Sequence, residues 1–139
     1  MNDISNLTCS ITYSGNLSTQ ILHLASGNAA ATDAPIDNHG LGRFLSPTDM
    51  CSASLAACML TVMGIKAEER GLDMKGARAD LKKVMYDTPR RIGEIHIKMY
   101  LPVSWEIKDR KVMEAVALSC PVAKSLGIEV LQDVEFLYE

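Results

Sequence analysis

Apolar and polar positions alternate in the first third of the chain and give way, after residue 50, to a long stretch that is apolar almost throughout. The alternation predicts strands at residues 7–13 and 20–24, joined as a hairpin, and a third strand at residues 29–32. From Met50 to Ile65 nearly every residue is apolar or small, which is typical of a helix surrounded by protein on most sides. This helix is predicted to lie at the centre of the fold.

The ends of the long helix are marked by the residues that flank it. Ser46 is a good N-cap, Pro47 suits the first helical position, and Asp49 is an acidic first-turn residue three positions after the cap. The helix is predicted to run to Arg70, because Gly71 readily adopts the left-handed conformation that ends many helices. Local chemistry thus predicts both ends of the central helix.

A second group of elements is predicted after the helix. They are strands at 77–86 and 93–103, a helix from Arg110 to about Ser119 capped by Asp109, a short helix from Pro121 that ends at Gly127, and a last strand at 129–138. Together the elements predict an α+β fold in which antiparallel sheets pack around a long buried central helix. With 139 residues and 47% hydrophobic content, residues 1–139 are expected to form a single domain.

Composition and charge exclude several classes of function. No apolar run approaches the roughly 20 residues of a membrane span, and the first twenty residues are polar and strand-like rather than leader-like. A formal net charge of −3 gives no general attraction to nucleic acid. We therefore expect a soluble cytoplasmic protein without membrane or nucleic-acid partners.

The four cysteines are the chemically suggestive residues, at positions 9, 51, 58 and 120. They form no Cys-x-x-Cys pair and have no histidine at zinc-site spacing, so no metal site is predicted. Cys51 and Cys58 cannot pair on one straight helix, because seven residues rise about 10.5 Å and a disulfide tolerates a Cα separation of only ~7 Å. Cys120 precedes Pro121 at a helix start, where free N–H groups stabilise a thiolate. From the residues alone, both a chemical role and a place in the core remain open for Cys58 and Cys120.

Two motifs carry a family resemblance. The segment "SPTDMCSASLAACML" resembles the central-helix signature of the OsmC/Ohr family, whose Ala-Cys reactive thiol corresponds to Cys58. The later segment "SCPVAKSLG" resembles the family's second motif, a Cys-Pro at the head of a short helix, which corresponds to Cys120. The order of predicted elements also agrees, so the resemblance covers most of the chain. It implies the OsmC-like fold and an intertwined homodimer.

The resemblance also implies an activity, since family members of the Ohr and OsmC types are thiol peroxidases that act on organic hydroperoxides. Cys58 would attack the peroxide and become a sulfenic acid, and Cys120 would condense with it to a disulfide that an external dithiol reduces. No cofactor is expected. Cys9 and Cys51 match no reactive position of the family and are predicted to be dispensable.

The chain departs from the family's peroxidases at one feature. Their thiol is assisted by an N-terminal Arg that is held by a Glu in the first turn of the central helix. Here no Arg precedes Arg43, and Thr48 stands at the Glu position. Asp49 and Arg43 are the candidates for these two roles, with Arg43 reaching the site from its loop or across a dimer interface.

Three functions remain open at this point. The first is a cysteine-based hydroperoxide reductase. The second is a non-enzymatic redox sensor or binder of small apolar ligands, and the third is a structural or interaction protein in which all four cysteines fill the core. The missing N-terminal Arg favours the second function over an efficient form of the first.

Overall fold

The computed structural model of the protein describes residues 6–139. The chain divides into two compact units, one up to Met50 and one from Cys51 to Glu139. The first unit contains strands β1 (Cys9–Gly15), β2 (Ser18–His23) and β3 (Ala29–Asp33), followed by a 3₁₀ turn at Ile36–Asn38. Helix α1 (Pro47–Arg70) begins in the first unit and continues into the second. The second unit adds β4 (Arg78–Tyr86), β5 (Arg91–Leu101), α2 (Ile107–Leu118), α3 (Pro121–Ser125) and β6 (Leu131–Tyr138).

The sheet of the first unit is antiparallel, in the order β1-β2-β3. Its first turn uses backbone with positive φ at Asn16 (54°) and Leu17 (60°), the conformation that two-residue hairpin turns require. The hydroxyl of Tyr13 accepts a hydrogen bond from the Leu17 backbone N–H at 3.2 Å and supports the turn. The predicted hairpin and third strand are confirmed.

A reciprocal pair of hydrogen bonds begins α1. The Ser46 hydroxyl accepts from the backbone N–H of Asp49 at 3.0 Å, and the Asp49 carboxylate accepts from the backbone N–H of Ser46 at 3.0 Å. This arrangement is a capping box, which satisfies N–H groups that have no partner inside the helix. At the other end Gly71 has a φ of 66°, as a left-handed helix stop requires. Both predicted ends of the helix are confirmed.

The sheet of the second unit is mixed rather than antiparallel. Strands β4 and β5 pair antiparallel, but β6 pairs parallel to β5, from Glu94 opposite Leu131 to Leu101 opposite Tyr138. The expectation of purely antiparallel sheets is therefore wrong for β6. Because α2 and α3 lie between β5 and β6, the connection is a helical crossover. It brings the chain back to the end of the sheet where β5 begins, so that β6 runs in the same direction as β5.

The core of the second unit is built from one face each of α1, β5 and α2. Alternate residues of β5 are buried, as the sequence pattern predicts. The largest buried side chains are Leu55, Met59, Met63, Ile95, Ile97, Met99, Leu101 and Met113. The opposite face of α1 is different: Cys51, Ala57, Thr61 and Ile65 are exposed in the described chain. The prediction that protein covers most sides of α1 therefore does not hold within residues 6–139.

Helix α2 begins earlier than expected. Its N-cap is Glu106, and Asp109 lies inside the first turn, so the prediction that Asp109 caps the helix is wrong. Instead the Asp109 carboxylate accepts a hydrogen bond from Nε of Arg70, at 3.0 Å. This charged contact links the end of α1 to the start of α2. The Asp109 carboxylate therefore makes a tertiary contact instead of capping the helix.

By length and composition alone, α1 is apolar enough to cross a membrane, with a mean hydropathy of 1.5 over its best 18-residue window. The sequence pattern did not predict such a segment. The core helix of a soluble protein passes the same criterion, and one face of α1 is packed against β5 and α2 in a shared core. The helix is consistent with this second reading.

Replacement of Leu55 by Ala is expected to lower the free energy of unfolding by about 2–5 kcal/mol, because Leu55 is fully buried and its truncation leaves a cavity. Leu118→Ala is the matched control, since Leu118 is half exposed at the end of α2 and should cost about 1 kcal/mol or less. Urea denaturation at one protein concentration measures both. Equal losses for the two variants would show that the core is not where the structure has it.

Candidate functional site

The structure brings Cys58 and Cys120 together. Cys58 lies in the middle of α1 and is partly buried against the core, next to the fully buried Met59. Cys120 lies between α2 and α3 and is 1% exposed. The two thiols are close enough that the Cys58 side chain raises the pKa of Cys120. Two residues far apart in the sequence therefore form one dithiol site within the second unit.

The position of Cys120 follows from local sequence. Its backbone N–H bonds to the carbonyl of Ala117 at 3.2 Å as α2 ends, and Pro121 begins α3. Proline suits this first helical position because the N–H that it lacks would have no partner there. The Cys120 sulfur accepts a hydrogen bond from the backbone N–H of Ala123 at 3.3 Å, so Cys120 is the N-cap of α3. The Gln132 amide bonds to the Ala123 carbonyl at 3.0 Å and ties α3 to β6.

The electrostatics of Cys120 are set mainly by burial. Burial raises the pKa of the Cys120 thiol, the N–H of Ala123 acts in the opposite direction, and the neighbouring Cys58 thiol raises it further. The net shift is upward, although the sequence suggested that the helix start would stabilise a thiolate. The N–H contact is present, but loss of solvent outweighs it. Cys120 therefore keeps its proton at neutral pH.

The two other cysteines lie elsewhere. Cys51 is exposed on α1, two turns before Cys58, and Cys9 lies in β1 of the first unit. All four cysteines are free thiols. Within residues 6–139 no group of three or more His, Cys, Asp or Glu side chains has the geometry to hold a metal ion. The chemistry of the site is therefore that of two thiols.

Arg43 lies in the first unit, where its guanidinium is held by Asp33. The Nε and Nη2 atoms of Arg43 donate to the two carboxylate oxygens of Asp33 at 2.8 and 3.1 Å, and the Arg43 backbone N–H donates to the same carboxylate at 2.9 Å. These bonds lower the pKa of Asp33 to about 2, despite its burial. Asp33 is 1% exposed, whereas the Arg43 side chain is 52% exposed.

Sequence reasoning missed Asp33. It ends β3 and is followed by a segment of Gly, Asn, Asp and Ala without periodicity, so nothing in the pattern singles it out. The one available signal was the opposite charge of Arg43, ten residues later. This signal is weak because loops contain many charges. Asp49 and Thr48, the two positions discussed at the start of α1, have local contacts. Asp49 belongs to the capping box, and the Thr48 hydroxyl lies 3.1 Å from the Ser46 hydroxyl.

A cavity of about 330 Å³ lies on the sheet of the second unit and is lined by β4, β5 and β6. Its side chains include Lys82, His96 and Asp133, which are cross-strand neighbours. Nδ1 of His96 lies 2.8 Å from Asp133, and the carboxylates of Asp133 and Glu94 raise the pKa of His96. No cysteine lines this cavity, so it is separate from the dithiol site.

Comparisons with known proteins agree with this architecture. The family model for OsmC-like proteins matches residues 40–133. A crystal structure from Psychrobacter arcticus 273-4, provisionally named an osmotic stress induced and detoxification response protein, is 44% identical, with a TM-score of 0.89 over 93% of this chain and 94% of that one. This chain belongs to the OsmC-like family. Among proteins with curated descriptions, none is significantly similar to it.

Two more distant structures share the fold. An organic hydroperoxide resistance protein OsmC from Legionella pneumophila is 14% identical, with a TM-score of 0.75 over 96% of this chain and 98% of that one. An organic hydroperoxide resistance protein from Elizabethkingia anophelis, with thiocyanate bound, is 11% identical, with a TM-score of 0.74 over 97% and 99%. At these identities the likeness shows the fold alone, and the α+β, OsmC-like fold is confirmed.

The native protein is expected to react with iodoacetamide first at Cys51 and last at Cys120. Cys51 is exposed, whereas Cys120 is almost fully buried and its raised pKa keeps it protonated. Peptide mass spectrometry after brief labelling at neutral pH measures the order. Modification of Cys120 as fast as Cys51 would contradict the burial described here.

Proposed function

We propose that this chain is a cysteine-based thiol peroxidase that reduces organic hydroperoxides, with Cys58 as the peroxidatic thiol and Cys120 as the resolving thiol. The observation that carries the proposal is the close approach of these two thiols. Cys58 and Cys120 differ in burial in the way that the two proposed roles require. Cys58 is the less buried thiol and is the one that a hydroperoxide reaches, while Cys120 is buried and keeps its proton.

The proposed reaction has three steps. The Cys58 thiolate attacks a peroxide oxygen, so that an S–O bond forms, the O–O bond breaks, and the substrate leaves as an alcohol after taking up a proton. The Cys120 sulfur then attacks the Cys58 sulfenic acid, an S–S bond forms, and water leaves. An external dithiol reduces this disulfide by exchange and returns both thiols, with its own sulfurs oxidised to a disulfide.

The names of structural relatives support a peroxide-related role. The proteins from Legionella pneumophila and Elizabethkingia anophelis are named for organic hydroperoxide resistance, and the Psychrobacter relative is named for a detoxification response. For this chain the role remains a proposal, together with a cytoplasmic location and reduction by a dithiol. The dithiol pair within the second unit is what makes such a role chemically possible.

Arg43 and Asp49 complete the proposed site as accessory groups. A buried thiol needs a cation or hydrogen-bond donors to ionise near neutral pH, and Arg43 is the cation proposed for that role. Asp49 acts at the start of α1, the helix that carries Cys58, through its capping box with Ser46. Neither residue reacts with substrate in this scheme.

A second candidate function is a non-enzymatic redox sensor or a binder of small apolar ligands. The observation that favours it is that the Nε and Nη2 atoms of Arg43 are already bonded to Asp33, which reduces the charge that Arg43 offers to a thiolate. In that case Cys58 reacts with peroxide only slowly. The two candidates therefore differ in the outcome of a single peroxide treatment.

One equivalent of an organic hydroperoxide, such as cumene hydroperoxide, is expected to convert the reduced protein to a form with one Cys58–Cys120 disulfide per chain. Cys58→Ser should abolish this product, and Cys120→Ser should leave a Cys58 sulfenic acid that dimedone traps. Peptide mass spectrometry identifies each product. Cys51→Ala and Cys9→Ser are the matched controls and should behave as the parent does. A Cys58 that stays a free thiol, or that pairs only between molecules, would favour the binder instead.

We further propose that the protein is a homodimer. Apolar and small residues on one face of α1 are exposed in the single chain, as are Ile11 and Tyr13 of β1, at 61% and 65%. Association would remove this apolar surface from water. Light scattering is expected to give twice the 15.2 kDa mass of one chain. A clean monomer across the micromolar range would contradict the dimer.

A further inference from the structure

Helix α3, which has Cys120 at its start, is too short to hold its own position. It has five residues, from Pro121 to Ser125, whereas an isolated helix needs about 12–15 residues to be even marginally stable in water. Its place in the fold must therefore come from packing and from bonds to neighbouring elements. The Cys120 sulfur depends on this helix directly, because Sγ accepts a hydrogen bond from the backbone N–H of Ala123 at 3.3 Å.

Ala123 is held in turn by a side chain from another element. The main chain is extended at Leu126 (φ −74°, ψ 137°), so it leaves the helix before the N–H of Gly127 could reach the Ala123 carbonyl. The Gln132 side chain of β6 takes that place, since its Nε2 atom donates to the Ala123 carbonyl at 3.0 Å. Ala123 is only 9% exposed, so loss of the Gln132 amide would leave a largely buried carbonyl without this donor.

The two bonds of Ala123 connect β6 to the sulfur of Cys120. The Ala123 carbonyl accepts from Gln132, and the Ala123 N–H donates to Sγ of Cys120. Gln132 itself has a fixed place, because it pairs in register with Ile95 of β5, and Ile95 is fully buried in the core. The Gln132 amide thus fixes α3 relative to the sheet, and not only within itself.

We propose that Gln132 is a positioning residue for the resolving step, which holds Cys120 where its sulfur can attack the Cys58 sulfenic acid. The inference rests on the proposed function, because Cys120 has nothing to attack unless Cys58 has been oxidised. In that step an S–S bond forms, the S–O bond of Cys58 breaks, and water leaves with the Cys120 proton. Gln132 bonds to neither substrate nor sulfur in this scheme and acts only through Ala123.

A simpler role for Gln132 is to stabilise the packing of α3 on β6. That role predicts a lower melting temperature and no change in the products of oxidation. A positioning role predicts a change in the fate of one intermediate, because the Cys58 sulfenic acid either condenses with Cys120 or reacts with a second hydroperoxide to give sulfinic acid. A loosely held α3 slows the first of these two reactions and leaves the second unchanged.

The test uses full-length protein in which Cys9→Ser and Cys51→Ala leave the dithiol pair as the only thiols. It is treated with increasing excesses of cumene hydroperoxide without a reductant, and peptide mass spectrometry measures the ratio of Cys58 sulfinic acid to Cys58–Cys120 disulfide. Gln132→Met, which keeps the length of the side chain but removes the donor, is expected to raise this ratio on the order of tenfold at each hydroperoxide concentration. The rate at which the Cys58 thiol disappears should stay that of the parent, because Gln132 bonds to α3 and not to α1.

Gln132→Glu remains informative if Gln132→Met fails to fold. An ionised carboxylate has the size of the amide but cannot donate to the Ala123 carbonyl, so the ratio should rise in this variant as well. Ser125→Ala is the matched control. The Ser125 hydroxyl also donates to a main-chain carbonyl of α3, that of Pro121 at 2.8 Å, but this bond stays within the helix. Its ratio should match that of the parent.

Two results would overturn the inference. One is a pair of folded Gln132 variants that melt at a lower temperature but give the parent's ratio of products. The other is a Ser125→Ala protein whose ratio rises as much as theirs, because general loosening of α3 would then explain the effect. A parent that forms no Cys58–Cys120 disulfide at any hydroperoxide concentration contradicts the proposed function, and the inference fails with it. A parent that forms the disulfide in the same proportion as the Gln132 variants contradicts the inference alone.

Discussion

The close approach of Cys58 and Cys120 is the feature on which the proposed chemistry of this protein depends. It exists because the middle of α1 and the start of α3 are packed into one core, with Met59 and Ala123 beside the two cysteines. The Cys120 end is fixed by Pro121, by the N–H of Ala123 and by the Gln132 side chain on β6. A shift of α3 would separate the sulfurs and remove the dithiol site.

Burial fixes the position of Cys120 but also opposes the ionisation of thiols at the site. It keeps Cys120 protonated and in place, but an apolar environment also opposes the ionisation of any thiol within it. A reactive dithiol in such a setting needs a nearby cation or hydrogen-bond donors to ionise.

Local chemistry allowed much of this structure to be predicted from sequence. Ser46, Asp49 and Gly71 determine the ends of α1, and alternation along β5 identifies its buried face, because these signals act within a few residues. The two cysteine motifs identified the sulfurs that the structure brings together. Features that depend on distant residues were missed: the parallel pairing of β6, the use of Asp109 by Arg70 rather than as a cap, and the contact of Asp33 with Arg43. In each of these cases a residue's role is set by a tertiary partner that no local pattern reveals.

The most direct test of this account is a crystal structure of the protein after treatment with one equivalent of an organic hydroperoxide. The account predicts a bond of about 2.05 Å between Sγ of Cys58 and Sγ of Cys120, with α3 still in place between α2 and β6. A structure in which Cys58 is oxidised while Cys120 remains a distant, reduced thiol would contradict it.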